Sequence, residues 1–174
     1  MYNPSRDQAR QFLIDAWHKR RAATPATPLE TLAADLIDSH PEYHTLLEAD
    51  DALTNEWMPE NGETNPFLHL SLHLAIEEQL AINQPTGITP LFSQLLARHN
   101  DRHTALHVVL DCLGETMWRA QHDAQPLDSN AYLDCLRRAA GRKVPEGDPE
   151  VVQSKHRAGA DEATALQGGR EKML

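Results

Sequence analysis

The sequence predicts an all-α protein, a single bundle-like domain of six or seven helices followed by a tail. Apolar residues recur every three to four positions in successive segments, which is the spacing of one helix face. Asn-Pro or Thr-Pro pairs precede several of these segments, as expected at a helix start, and no segment shows the two-residue alternation of a strand. The 174 residues suffice for one domain with a single core. We place the helical domain at residues 1–140 and a disordered tail at residues 141–174.

The first two helices have clear start signals. Asn3-Pro4 opens the first helix, and Ser5 with Gln8 has the spacing of a capping box. Thr27-Pro28-Leu29-Glu30 supplies an N-cap, a proline at the first helical position and a carboxylate at the third. Since proline clashes with the preceding turn, His40-Pro41 ends the second helix.

A short helix, a loop and a long central helix follow. We expect the short helix at residues 41–48 and the loop at residues 50–64, where proline and glycine interrupt any regular pattern. Asn65-Pro66 opens the central helix, which then runs unbroken to Asn83.

The central helix is apolar around most of its circumference, which places it inside the bundle. One polar stripe interrupts the apolar surface, and it consists of His69, His73 and Glu77, each four residues from the last. We therefore expect His69 and His73 to be mostly buried and close to other polar groups.

Three more helices complete the predicted domain. Thr89-Pro90 starts the first of them, and Asn100-Asp101 caps the longest, which spans Arg102 to His122. Asp128 can cap the last helix, and glycine, proline and charged residues dominate after Gly141. The expected core residues of the last two helices are Leu106, Val109, Leu110, Leu113, Met117, Tyr132, Leu133 and Leu136.

Charge and hydropathy argue against two classes of partner. The chain has 26 acidic against 16 basic residues, a formal net charge of -10, so its surface repels phosphate backbones and disfavours a nucleic-acid partner. No apolar run approaches the roughly 20 residues of a membrane span. The first residues also lack the apolar core of a signal peptide. We therefore expect a soluble, cytoplasmic protein.

The cysteines point to the same compartment. Cys112 and Cys135 are the only two, and their spacing matches neither a metal motif nor a redox motif. We interpret them as buried free thiols of a reducing environment.

Two stripes of histidines form the candidate functional site. Imidazoles four residues apart, with a carboxylate one turn further on, can ligate a metal from one helix face. The central helix offers such a stripe, and the long helix offers a second one whose first two members lie near its apolar face. Together they could hold zinc in a helical bundle, or iron or manganese. The candidate metal ligands are His69, His73, Glu77, His103 and His107.

The alternative for the same stripe is a buried hydrogen-bond network without a metal. His40 and His44 flank Pro41 at a helix junction, and we interpret them as local caps. The Glu-x-x-His motif of ferritin-type di-iron sites is absent, and so are a nucleophile elbow, a glycine-rich phosphate loop and a dinucleotide fingerprint.

Several segments resemble a protein family. The chain is similar to a proteobacterial family known only as a domain of unknown function, number eighteen-forty-one. The resemblance covers about residues 1–140. It implies a small cytoplasmic bacterial protein and supplies no activity, substrate or site residues. The segments that carry it are Asn3-Pro4-Ser5-Arg6-Asp7-Gln8, Thr27-Pro28-Leu29-Glu30, His40-Pro41-Glu42-Tyr43-His44, Asn65-Pro66-Phe67-Leu68-His69-Leu70-Ser71-Leu72-His73, and Cys112-Leu113-Gly114-Glu115 with Trp118 and Gln121.

Two functional hypotheses follow. The first is a non-catalytic helical domain that acts by contacting another protein, with the histidines as a structural network. The second is a metal-binding helical protein, or a metalloenzyme, that uses the histidine stripes. No catalytic or organic cofactor-binding residue is assigned, and the oligomeric state stays open.

Overall fold

The computed structural model describes residues 5–57 and 64–141 of the chain. Asn3 and Pro4, part of the predicted loop and all but the first residue of the predicted tail lie outside these residues. The first helix starts at Arg6, after its N-cap Ser5, and not at Asn3-Pro4 as predicted, because the capping box of Ser5 sets the start. The described part is all-α, with seven α-helices, one 3₁₀ turn and no strand. The helices are α1 (Arg6–Arg21), α2 (Pro28–Asp38), α3 (His44–Glu48), α4 (Pro66–Ile82), α5 (Ile88–His99), α6 (Arg102–His122) and α7 (Ser129–Gly141), and the 3₁₀ turn Pro41–Tyr43 precedes α3.

The predicted caps form at most helix starts. Ser5 and Thr27 each make a full capping box, with Gln8 and Glu30 as the returning side chains. Asn65 accepts hydrogen bonds from two backbone N–H groups at the start of α4. Such a cap stabilises a helix by about 1 kcal/mol, so these short signals fix the helix starts locally.

The start of α5 differs from the prediction. The helix begins at Ile88, and Thr89 is therefore its second residue and not its N-cap. Gly87 precedes the helix with a φ of 104°, a left-handed conformation that favours glycine. The side chain of Asn83 accepts hydrogen bonds from the backbone N–H groups of Gly87 and Thr89. The side chain of Asn83, at the end of α4, thus stabilises the turn before α5, and the Thr-Pro signal predicted the helix start two residues late.

The core consists of two hydrophobic clusters, and α4 contributes to both. The first half of α4 packs Phe67 and Leu70 against α1, α2 and α3. Its second half packs Ile76 against α5, α6 and α7. Burying each such side chain contributes about 1.5–3 kcal/mol, so a helix with apolar residues on most sides belongs between two packed groups. The predicted burial of Leu106, Val109, Leu113, Tyr132, Leu133 and Leu136 is confirmed.

A buried arginine holds the segment after α3 against α1. Arg10 is 2% exposed and donates hydrogen bonds to the carbonyl oxygens of Leu53 and Asn55. Its guanidinium also lies 5.1 Å from the ring centroids of both Trp57 and Phe67. These contacts satisfy a charge that burial would otherwise penalise.

The cysteine prediction was wrong. Cys112 on α6 and Cys135 on α7 form a disulfide, and neither is a free thiol. The two helices pack against each other and bring the Cα atoms to 5.7 Å, which is within the range of disulfides. Sequence spacing carries no information about this tertiary contact. Among the described residues, no helix is long and apolar enough to cross a membrane.

The disulfide should stabilise the domain through the loop it closes. Replacing both cysteines in a Cys112→Ala/Cys135→Ala variant should lower the free energy of unfolding by about 3 kcal/mol, because the bond spans 23 residues and restricts the unfolded chain. Urea denaturation of the variant and of the wild type, with and without reductant, measures this difference. Equal midpoints for oxidised and reduced wild type would contradict it.

Candidate metal centre

Four histidines from three parts of the fold converge on one point. His69 and His73 lie one turn apart on α4, as the four-residue spacing predicted. His107 comes from α6, and His40 comes from the junction between α2 and the 3₁₀ turn. Because α4 packs against both α2 and α6, His40 and His107 reach the stripe from two different elements.

The ring nitrogens are unusually close to one another. The Nε2 atom of His40 lies 3.2 Å from that of His107 and 3.1 Å from that of His69. The Nε2 atom of His69 lies 3.2 Å from that of His73. One ring nitrogen from each of the four residues lies within 4.8 Å of all the others. The four rings therefore present their nitrogens, rather than their carbon edges, to a common centre.

Two members of the cluster are fully buried and two are partly exposed. His40 and His73 are both 0% exposed, whereas His69 and His107 are partly buried. The expectation that His69 and His73 would be shielded and near polar groups is thus met fully by His73 and in part by His69.

The backbone fixes the tautomer of His40. Its Nδ1 atom lies 2.7 Å from the carbonyl oxygen of Leu36, which can only accept a hydrogen bond. Nδ1 therefore carries the hydrogen, and in the neutral ring Nε2 presents a lone pair to the cluster. A backbone carbonyl that orients an imidazole in this way is a common partner of metal-bound histidines.

Burial favours the neutral form of every member of the cluster. Removal from water lowers the pKa of His69 to about 4 and that of His73 to about 3, and neighbouring imidazoles add to the effect. Burial also lowers the pKa of His40 and of His107. Neutral imidazole is the form that binds metals.

A hydrogen-bond network alone cannot satisfy these contacts. The three short Nε2 contacts need one hydrogen each. The lone pair of His40 can accept from His69 or from His107 but not well from both. If His69 donates to His40, it has no lone pair left for His73. At least one contact therefore lacks a hydrogen in the neutral cluster, and Nδ1 of His73 is buried with no partner among the described residues.

The other predicted ligands lie outside the converging group. Glu77 accepts two hydrogen bonds of 2.7 Å from Arg102, which hold its carboxylate away from the imidazoles. The ring of His103 packs beside the cluster, with its centroid 4.3 Å from that of His107, but its nitrogens are not part of the group. Of the predicted ligands, the structure brings His69, His73 and His107 together, whereas Glu77 and His103 lie outside the converging group.

His40 is the member that sequence reasoning missed. The sequence analysis interprets His40 as a local cap, and its bond to the Leu36 carbonyl confirms that role. The same holds for His44, whose Nε2 atom lies 2.9 Å from the Ile37 carbonyl oxygen. The second nitrogen of His40 faces the cluster from a position with no helical spacing to the other ligands. No periodic signal in the sequence relates it to them.

The fold and this cluster define an all-α protein with a four-histidine centre between its helices. The chain belongs to the family described as a domain of unknown function (DUF1841), whose profile matches residues 5–138. No curated protein and no solved structure matched the chain.

The metal-free protein should lose stability in mild acid. The unfolded histidines bind protons near pH 6.5, whereas folded His69 and His73, with pKa values of about 4 and about 3, stay neutral. The stability they contribute is therefore present above the unfolded pKa and is lost progressively as pH falls from there toward the folded pKa values. We expect the free energy of unfolding to drop by about 2–4 kcal/mol between about pH 7 and pH 5.

Urea denaturation of chelator-treated protein across this range measures the effect. A His18→Ala variant, which removes an exposed imidazole on α1, should show the same pH dependence as the wild type. A flat profile in the wild type would mean that the cluster accepts protons without penalty.

Proposed function

We propose that this protein binds a divalent transition-metal ion through the Nε2 atoms of His40, His69, His73 and His107. The observation that carries the proposal is the convergence of four neutral imidazoles. A metal accepts every lone pair at once, and it removes the shortage of hydrogens that a purely hydrogen-bonded cluster cannot avoid.

The distances suit an ion after small movements. Four nitrogens at 2.0–2.1 Å from a tetrahedral zinc ion lie about 3.3 Å from one another. The three short contacts in the cluster are 3.1–3.2 Å, so these pairs need to separate by only a few tenths of an ångström. The more distant pairs, at up to 4.8 Å, have to close on the ion.

The donor set favours some metals over others. Imidazole suits zinc, iron, copper and nickel, whereas manganese prefers carboxylate, carbonyl and water oxygens. Of the three metals that the sequence suggested, zinc and iron fit an all-imidazole set better than manganese.

The protein-interaction hypothesis stays a prediction. The large exposed apolar side chains of the described residues are spread over several elements, including Leu29 on α2, Leu68 on α4 and Trp118 on α6. No single face among them identifies a partner. A cytoplasmic location also stays a prediction, and the disulfide argues against a permanently reducing compartment.

Metal analysis tests the proposal directly. The full chain, purified without a histidine tag, should hold one zinc or iron(II) ion per molecule. His73→Ala should lose this ion, because it removes one of the two fully buried ligands. His107→Ala, at a partly exposed position, should lower affinity at least tenfold while disturbing packing less. Calorimetric titration with each metal, beside circular dichroism to check folding, measures both effects.

His18→Ala is the matched control, since it removes an exposed imidazole from the same domain and should bind metal like the wild type. The proposal fails if the wild type binds neither ion above background, or if a folded His107→Ala variant binds as tightly as the wild type.

The position of Glu77 yields a separate prediction. Its carboxylate pairs with Arg102 and not with the cluster, so Glu77→Gln should leave metal stoichiometry and affinity unchanged. The variant should lose only about 1 kcal/mol of stability, because the ion pair is partly exposed. A tenfold loss of metal affinity would instead show that the carboxylate turns toward the ion when it binds.

A further inference from the structure

We propose that the metal-loaded centre binds a small anion as an additional ligand, so that the ion expands from four ligands to five, beside the partly exposed His69, His103 and His107, and that His103 donates a hydrogen bond to this anion. The inference rests on the proposed function. It names the class of ligand that the centre takes and a residue that positions it.

The first argument is charge. Four neutral imidazoles bring no negative charge to the ion, so a divalent metal held by them keeps its full double charge in a largely buried place. An unpaired buried charge is costly, and it draws in a counter-ion wherever one can reach it. Among the described residues no carboxylate joins the converging group, and Glu42 and Asp111 act on the imidazoles only through space. Glu77 is bound to Arg102, and Glu42 and Asp111 are exposed and outside the converging group.

The second argument is access. His40 and His73 are fully buried and close the inner side of the cluster. His69 and His107 are partly exposed, and so is His103 next to them. A ligand from solvent would therefore reach the ion past these partly exposed rings.

The third argument is the placement of His103. Its ring centroid lies 4.3 Å from that of His107 and 4.8 Å from that of His40, yet its nitrogens do not join the converging set. In the described part of the chain, neither ring nitrogen of His103 has a hydrogen-bond partner. A ring N–H beside the open side of a metal is a donor to whatever anion binds there, and hydrogen bonds to charged groups are the stronger ones.

The rings also limit the size of the ligand. The centroids of His40, His69, His73 and His107 lie 4.8–5.5 Å apart, and Tyr43 packs 5.5 Å from His69. Such close spacing restricts an additional ligand to one of a few atoms, such as hydroxide, azide or a single carboxylate group.

Cobalt(II) and azide make this testable, because the visible absorption of cobalt(II) reports its ligands. Full-length protein loaded with cobalt(II) in chloride-free buffer should show a saturable spectral change with azide, at one azide per cobalt. His103→Ala should weaken azide binding about tenfold and leave cobalt affinity unchanged. His103→Gln keeps a donor and should recover part of the loss. His18→Ala should bind azide like the wild type.

The possible outcomes separate the two proposals. If cobalt binds through the cluster but azide leaves the spectrum unchanged, the anion inference is overturned and the proposed function stands. If His103→Ala lowers cobalt affinity tenfold, His103 is a fifth ligand and its assigned role is overturned. If cobalt does not bind, or binds equally well to His73→Ala, the proposed function itself fails.

Discussion

The packing of α4 between two hydrophobic clusters is the constraint on which the rest of this structure depends. Phe67 and Leu70 belong to one cluster and Ile76 to the other, so the helix cannot turn or slide without opening both. The same packing directs the one polar stripe of α4 toward the gap between α2 and α6. On a surface helix these histidines would be solvated. Here their rings are held in the neutral form, with the ring nitrogens facing one another.

Within the cluster, backbone geometry and electrostatics act in the same direction. The carbonyl of Leu36 holds the hydrogen of His40 on Nδ1 and leaves the Nε2 lone pair facing three other nitrogens. Burial lowers the imidazole pKa values and prevents a shared proton from relieving the contacts. Packing of the two hydrophobic clusters must then supply the energy that keeps the rings together. An arrangement maintained at such a cost is more typical of a functional site than of a neutral core.

Local signals predicted much of the fold, and tertiary contacts account for what was missed. The capping residues Thr27 and Asp101 act within one turn, so the sequence alone indicates where α2 and α6 begin. The pairs His69/His73 and Cys112/Cys135 show which contacts sequence spacing can predict and which it cannot. The first pair shares one helix and its proximity follows from spacing. The second joins two helices, and its bond depends on how they pack. His40 was missed for the same reason, since only the packing of α2 against α4 brings it to the stripe.

The four histidines also determine when the centre can come into existence. They occupy positions 40, 69, 73 and 107, so the first and last are separated by 67 residues of chain. In a newly made or unfolded chain only His69 and His73 are neighbours, and two imidazoles on an isolated helix form a weak site. The full set assembles only when the N-terminal helices and α6 have both docked on α4. Occupancy of the centre would thus report that folding is complete, and a partly folded chain would leave the ion free.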